Sequence, residues 1–245
     1  MRDVTKSKPI GRDEMVGLAT LEYERMLDLL ESLSDDEWEH QTVCDDWSVR
    51  LMVAHLLGAA ESNASVRESM RQLIKGVRRA RAMGAEIVDG INAVQVDKHG
   101  HLSPNELIES MRRIAPRAVA GRRKTPGPVR RIKVPSGAGY NITMGHLADR
   151  IYTRDQWLHR IDICAATDRQ PELTPEHDGR IVADVVQEWH ALHSRPFELI
   201  LDGPAGGEFY AGTGGSRIET DAVEFCLVLS GRLDKEMELS RPVVF

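Results

Sequence analysis

Residues 48–60 read Ser-Val-Arg-Leu-Met-Val-Ala-His-Leu-Leu-Gly-Ala-Ala, and this stretch predicts a buried helix. Ser48 is a good helix cap, and the apolar residues after it recur at spacings of three and four, which is typical of one face of a helix. These apolar residues are Val49, Met52, Val53, Leu56, Leu57 and Ala60. His55 lies among them, and an imidazole on a face that packs into a core needs a polar partner.

Helical patterns flank this stretch on both sides. The same spacing, together with serine or threonine caps and prolines in first turns, predicts helices at residues 13–33, 103–121, 143–166 and 174–193. Residues 66–96 are predicted to be helical, with breaks near Gly76, Gly84 and Gly90. Residues 122–140 are rich in proline and glycine and predict a long loop.

The character of the chain changes after Arg195. Short strand-like runs occupy residues 197–201, 208–211 and 217–220, and a short helix follows at residues 221–229. The sequence therefore predicts a mainly α protein, with a helical bundle over residues 1–170 and a small α+β C-terminal domain over residues 171–245.

Composition limits the possible classes of protein. The 245 residues are 41% hydrophobic and 29% charged, which excludes a fully disordered chain. A net charge of −6 disfavours a dedicated nucleic-acid partner. Cys44, Cys164 and Cys226 are too scattered for a disulfide framework, and the apolar run Leu51–Ala60 is too short to cross a membrane. Together with a polar N-terminus, these features predict a soluble, cytoplasmic protein that does not bind membranes.

One basic segment departs from the overall acidic balance. Residues 112–133 contain nine lysines and arginines and no acidic residue. Such a run could contact an anionic ligand, a nucleic acid or an acidic partner. Because few aromatic residues lie among the charges, we favour a solvated face or a loop that attracts an anionic substrate.

Asp155 and His159 are the most informative polar pair, because a spacing of four places both side chains on one face of a helix. A carboxylate and an imidazole so placed can share a divalent ion whose further ligand comes from a facing helix, and His55 is the candidate. Asp162 could orient the His159 ring. The alternative is an ordinary solvent-facing pair and a core histidine with a hydrogen-bond partner.

The chain resembles the mycothiol-dependent maleylpyruvate isomerase family of DinB-like bundles. The resemblance is carried by Leu33 to Trp38, by Cys44-Asp45-Asp46-Trp47-Ser48-Val49-Arg50 with Val53-Ala54-His55-Leu56, by Asp155 to Asp162, and by Glu219 to Ala222 with Leu229 to Arg232. It implies a DinB-like four-helix bundle followed by a small α+β domain. It also implies that His55, Asp155 and His159 bind a divalent metal, usually zinc.

The implied roles of Asp155 and Arg232 each have an alternative. Many relatives have glutamate where this chain has Asp155; the shorter side chain requires a closer helix or an intervening water, and two histidines with one carboxylate also suit iron. The resemblance assigns Arg232 to catalysis or substrate binding, since an arginine fork suits a carboxylate substrate. Its alternative role is that of a helix C-terminal residue beside Gly231.

The implied activity is that of an isomerase or S-transferase that uses mycothiol as its thiol. A metal-bound thiol loses its proton and becomes a nucleophile toward a small electrophile. In an isomerase the thiolate adds to a cis double bond, the new single bond rotates, and elimination releases the thiol. Two alternatives stay open, namely metal-assisted hydrolysis and a non-catalytic metal-binding regulatory module.

Overall fold

The computed structural model describes residues 1–44 and 46–245, which divide into two compact units. The larger unit is Arg12–Pro171, and the smaller unit combines Met1–Gly11, which holds strand β1 (Arg2–Asp3), with Glu172–Phe245. Asp45, part of the Cys44–Arg50 motif, lies outside the described residues.

The larger unit is almost entirely helical, as the sequence predicts. In chain order its elements are α1 (Arg12–Ser32), α2 (Val49–Ala64), α3 (Val66–Met83), α4 (Ile87–His99), α5 (Pro104–Lys124), α6 (Gly127–Arg130), β2 (Lys133–Pro135), β3 (Asn141–Thr143), α7 (Met144–His146), a π-helical turn (Leu147–Ile151) and α8 (Tyr152–Ala166). The predicted caps form: Ser48 accepts a hydrogen bond from the Leu51 amide, and Ser103 forms a capping box with Glu106.

A ring of four helices forms the core of the described part of the larger unit. Helix α1 packs on α5, α5 on α2, α2 on α8, and α8 on α1. The helix pair α3 and α4 packs on α2 outside this ring. The predicted mainly α fold is confirmed, and the ring brings α2 and α8 side by side although about 90 residues separate them in the sequence.

Only one of the three predicted breaks in residues 66–96 occurs in the described structure. Gly84 ends α3 in a left-handed conformation with φ +67°. The predictions at Gly76 and Gly90 were wrong, because both glycines lie inside helices at the crossing of α3 and α4. A Cβ atom on Gly90 would lie 2.2 Å from the carbonyl oxygen of Gly76, so these positions let two backbones approach rather than end a helix.

Gly90→Ala should lower the free energy of unfolding by about 1–3 kcal/mol, because the added methyl group forces two helix backbones apart. Gly17→Ala is the matched control: a Cβ atom on Gly17 in α1 would meet nothing within 4 Å, so alanine there should raise stability by about 0.5–1 kcal/mol. Urea unfolding followed by circular dichroism measures both. Equal effects of the two substitutions would contradict the close-approach interpretation.

The predicted loop at residues 122–140 contains more structure than its composition indicates. Helix α5 continues to Lys124, α6 forms one turn, and β2 pairs with β3 in antiparallel register, with Val134 opposite Ile142. Tertiary contacts hold this segment: the buried Arg122 donates hydrogen bonds to the Ala148 carbonyl (2.7 Å) and to Thr153 Oγ1 (2.6 Å).

The smaller unit has the predicted α+β character. It contains α9 (Asp178–His193), β4 (Phe197–Asp202), β5 (Gly207–Ala211), β6 (Ser216–Asp221) and α10 (Ala222–Leu229). The strand order is β1-β5-β4-β6, with β4 antiparallel to β5 and parallel to β6. Trp189 of α9 packs edge-on against Phe197 and Phe225 in the core of this unit.

The first eleven residues belong to the smaller unit, whereas the sequence predicted them to be part of the helical bundle of residues 1–170. Arg2 and Asp3 pair with Phe209 and Tyr210 of β5, and the Ile10 amide donates a hydrogen bond to Asp184 of α9 (2.8 Å). These pairings could not be read from a dipeptide strand in the sequence. The division of the chain into two independent domains stays a prediction.

In the described ranges, no helix combines the length and the hydropathy that a bilayer crossing requires.

Candidate metal centre

His55 lies in the middle of α2, on the face that packs into the helical ring. Its side chain is 8% exposed, and its Nδ1 atom lies 2.8 Å from Oε1 of Gln95 on α4. The polar partner that the sequence required therefore exists, and it comes from a segment in which the sequence carried no motif. The other ring nitrogen, Nε2, remains available on the side that faces α8.

Helix α8 supplies the other two predicted ligands. His159 Nε2 lies 3.4 Å from Asp155 Oδ1, and His55 Nε2 lies 3.7 Å from Asp155 Oδ2. The three side chains thus converge, and their possible ligand atoms all lie within 4.8 Å of one another. The alternative of a solvent-facing pair does not describe this arrangement, because the His159 side chain is only 5% exposed.

The spacing of the donor atoms fits a single small cation. Two ligands about 2.1 Å from a tetrahedral ion lie about 3.4 Å apart. The two nitrogen–oxygen separations, 3.4 and 3.7 Å, are close to this value. Helices α2 and α8 are close enough for the carboxylate of Asp155 to lie between both imidazoles. Direct binding of a metal by this shorter side chain stays a prediction.

Hydrogen bonds and charge prepare the site further. His159 Nδ1 donates to Asp162 Oδ2 at 2.9 Å, so the ring is held from behind with Nε2 toward Asp155. Burial lowers the pKa of His159, but the Asp155 carboxylate outweighs it and raises the pKa to about 9. Burial likewise raises the pKa of Asp155, but the two imidazoles hold it well below its usual range. Asp155 is therefore an anion at neutral pH, as a metal ligand must be, whereas His159 carries an extra proton in the metal-free site and releases it when a cation binds.

Comparison with known proteins identifies the family of the chain. The sequence profile of the mycothiol maleylpyruvate isomerase N-terminal domain matches residues 19–164, more than half of the chain. The chain belongs to this family.

Two solved structures share the fold of this family member. They are the crystal structure of the mycothiol-dependent maleylpyruvate isomerase, with a TM-score of 0.60, and that of a histidine-to-alanine mutant of such an isomerase, with a TM-score of 0.58. Each is 14% identical to the chain and aligns over 100% of both chains. No curated protein sequence matches the chain. The predicted family is confirmed. The prediction that the protein is an enzyme of the maleylpyruvate isomerase type is confirmed as well.

Sequence reasoning missed part of the surroundings of this maleylpyruvate isomerase-like site. The absence of a histidine near Cys44 in sequence favours an apolar role for it, yet its sulfur lies within 4.8 Å of ligand atoms of His159 and Asp162. Gln95, which contacts His55, and Gln72, which contacts Gln95, do not stand out in the sequence, because glutamine is common and is not a typical metal ligand or catalytic group. Trp47 lies beside His55 with ring centroids 5.0 Å apart.

Arg232 lies in the smaller unit, three residues beyond the end of α10. It is half-buried, and its amide donates a hydrogen bond to the Leu227 carbonyl (2.9 Å), in the turn that ends the helix at Gly231 (φ +76°). This position fits the helix-terminal role that the sequence offered as an alternative. The catalytic role that the family resemblance implies stays a prediction.

The basic segment, residues 112–133, is partly neutralised within the larger unit. Arg122 serves the core, as described above. Three further arginines pair with carboxylates, namely Arg112 with Glu31 and Glu109, Arg123 with Asp13, and Arg130 with Asp149. Three of the nine positive charges of the segment are therefore paired with carboxylates, and Glu31, Asp13 and Asp149 among these partners lie outside the segment. An interaction of this segment with an anionic substrate stays a prediction.

Proposed function

We propose that this family member is a divalent-metal-dependent, mycothiol-dependent isomerase or S-transferase that acts on a small electrophile. Family membership supports the thiol and the isomerase chemistry, and maleylpyruvate, named for the structurally similar enzyme, is the first substrate to test. The convergence of His55, Asp155 and His159 carries the metal part of the proposal. A cytoplasmic location is also proposed, since the reaction needs a reduced thiol.

The donor set suits zinc, and iron is the second choice. When bound, such a cation supplies acidity, because a thiol that coordinates it is deprotonated at neutral pH whereas a free thiol mostly keeps its proton. Three protein ligands leave room for that thiol.

The surrounding residues orient the ligands and shield them. Asp162 and Gln95 hold the Nδ1 atoms of the two imidazoles, so that both Nε2 atoms face Asp155. The Trp47 ring lies beside the imidazoles, with centroids 5.0 Å from His55 and 6.4 Å from His159, and it is proposed to limit the access of water. Arg232 is proposed to bind a carboxylate of the substrate with its guanidinium.

The decisive assay uses the full chain, stripped of metal and reloaded with zinc or iron(II). Maleylpyruvate is added with and without mycothiol, the product is identified by NMR, and free thiol is titrated at the end. We expect turnover only when both metal and mycothiol are present. Recovery of all the thiol indicates an isomerase, whereas consumption of one equivalent per product indicates an S-transferase.

The other outcomes separate the alternatives. Metal-dependent turnover that needs no thiol would favour a hydrolase with bound water as the nucleophile. Stoichiometric metal without turnover of maleylpyruvate or other electrophiles would favour a binding or regulatory module. Failure to bind zinc or iron(II) in stoichiometric amounts would overturn the proposal.

The same assay tests Arg232. Arg232→Lys keeps the charge but loses the planar fork, and we expect kcat/KM to fall at least about tenfold with the metal content unchanged. Arg217→Lys is the control, because Arg217 is exposed on β6 of the same unit. Unchanged kcat/KM in Arg232→Lys would leave Arg232 with only its helix-terminal role.

A further inference from the structure

A chain of three amide groups runs from the backbone of α2 to the imidazole of His55. Gln72 Nε2 lies 2.8 Å from the Gly58 carbonyl oxygen, Gln95 Nε2 lies 2.8 Å from Gln72 Oε1, and Gln95 Oε1 lies 2.8 Å from His55 Nδ1. Gln72 and Gln95 are 1% and 4% exposed. We refer to Gly58, Gln72, Gln95 and His55 as the amide relay.

The direction of each hydrogen bond in the amide relay follows from its starting point. The Gly58 carbonyl can only accept, so Gln72 must donate to it through its amide nitrogen. That nitrogen also lies 3.1 Å from Glu68 Oε1, and a hydrogen bond from Arg71 helps to lower the pKa of Glu68 to about 2, so the carboxylate also only accepts. Both hydrogens of the Gln72 amide are thereby assigned.

The remaining assignments lead to His55. Gln72 Oε1 accepts from Gln95 Nε2, which leaves Gln95 Oε1 as the atom that faces the imidazole. Because this oxygen only accepts, His55 must carry its hydrogen on Nδ1. The lone pair of the neutral ring then lies on Nε2, the nitrogen that faces Asp155.

Two glycines allow the helices that carry the amide relay to pack closely enough for its hydrogen bonds to form. A Cβ atom on Gly58 would lie 2.5 Å from Cβ of Gln95, so only glycine lets α4 approach α2 closely enough for Gln95 to reach His55. At the next crossing, a Cβ atom on Gly76 would lie 2.5 Å from Cγ1 of Ile91. Close approach of three helices therefore fixes the glutamines, and a buried amide without its partner would be unfavourable.

We propose that Gln95, oriented by Gln72, is a positioning residue that fixes the Nδ1–H tautomer of His55 and thereby strengthens metal binding at Nε2. The tautomer part stands on the hydrogen bonds alone, whereas the metal part rests on the proposed function. A merely structural amide network would stabilise α3 and α4 without determining which nitrogen of His55 carries hydrogen.

The test combines a spectroscopic signature with a binding constant. ¹⁵N NMR of the imidazole nitrogens in the metal-free protein, assigned by loss of the signals in His55→Gln, reports the tautomer, and chelator competition reports the Kd for zinc. We expect Nδ1–H in the wild type. In Gln95→Leu we expect a mixture of tautomers and zinc binding weakened about 10–100-fold.

Gln95→Glu is the matched variant, because a carboxylate still accepts from Nδ1. It should retain the Nδ1–H tautomer and bind zinc at least as tightly as the wild type, even if the changed contact with Gln72 lowers the melting temperature. Thermal unfolding of both variants verifies that they fold; should Gln95→Leu fail to fold, the wild-type tautomer and Gln95→Glu still decide the question.

Each contrary result has its own meaning. Nε2–H in the wild type, or an unchanged tautomer and an unchanged Kd in folded Gln95→Leu, would overturn the positioning role. A wild type that carries Nδ1–H but binds no divalent metal would leave the tautomer assignment intact and would refute the proposed function instead.

Discussion

Replacing His159 with alanine is expected to weaken zinc binding by more than about 100-fold and to abolish mycothiol-dependent turnover. Loss of an outer hydrogen-bond partner of a metal ligand already costs about 10–100-fold in affinity, and this change removes a donor atom itself. It also removes the imidazole nitrogen 3.4 Å from Asp155. Metal content after gel filtration and the Kd from chelator competition measure the effect.

His101→Ala is the control for this prediction. His101 is exposed between α4 and α5, so its loss should change neither metal content nor turnover. Circular dichroism should verify that both variants keep their helical content. Stoichiometric metal retained by folded His159→Ala would exclude this histidine as a ligand and with it the three-residue centre.

Glu22→Ala is expected to lower the free energy of unfolding of the larger unit by about 3–5 kcal/mol. Glu22 on α1 accepts hydrogen bonds from Arg160 on α8, with Nε–Oε1 at 2.6 Å and Nη2–Oε2 at 3.3 Å, and neither side chain is more than 2% exposed. The substitution leaves a buried guanidinium without this carboxylate and opens a cavity. Urea unfolding and amide hydrogen exchange in α1 and α8 measure the loss.

Glu24→Ala is the matched control, because Glu24 lies two residues further along α1 and is exposed. The same chemical change should alter stability there by no more than about 0.5 kcal/mol. Glu22→Met combined with Arg160→Met should recover much of the loss, since replacing a buried pair with apolar side chains is often close to neutral. Equal effects of Glu22→Ala and Glu24→Ala would contradict the importance of the buried pair.

Local features of the fold could be predicted well from the sequence. Ser48 and Ser103 form the caps that their neighbours indicate, and the strands after Arg195 occur where short apolar runs predict them. The main errors concerned helix breaks predicted at glycines. A glycine can end a helix, but it can also lie inside a helix where a second helix packs closely against it. Gly84 does the former and Gly90 the latter, and only the partner helix distinguishes them.

In the candidate site, too, local spacing could be predicted from the sequence, whereas contacts between distant residues could not. The spacing of Asp155 and His159 is enough to place them on one helix face, because four residues make about one turn. Their pairing with His55 followed from the family resemblance and from a polar residue on an apolar face. Gln95 and Cys44 could not be found in this way, since their relevance depends on contacts with residues distant in sequence.

The sequence by itself determined most of the helices, the Ser48 and Ser103 caps, the apolar faces and the family, because these depend on residues close together in the chain or on recognisable motifs. The tertiary structure alone decided that α2 and α8 lie close enough for one aspartate to reach two imidazoles, and that a glutamine of α4 lies within hydrogen-bond distance of one of them. The physical reason is that helix packing distances depend on side chains of both partners, including glycines whose role is visible only at the crossing.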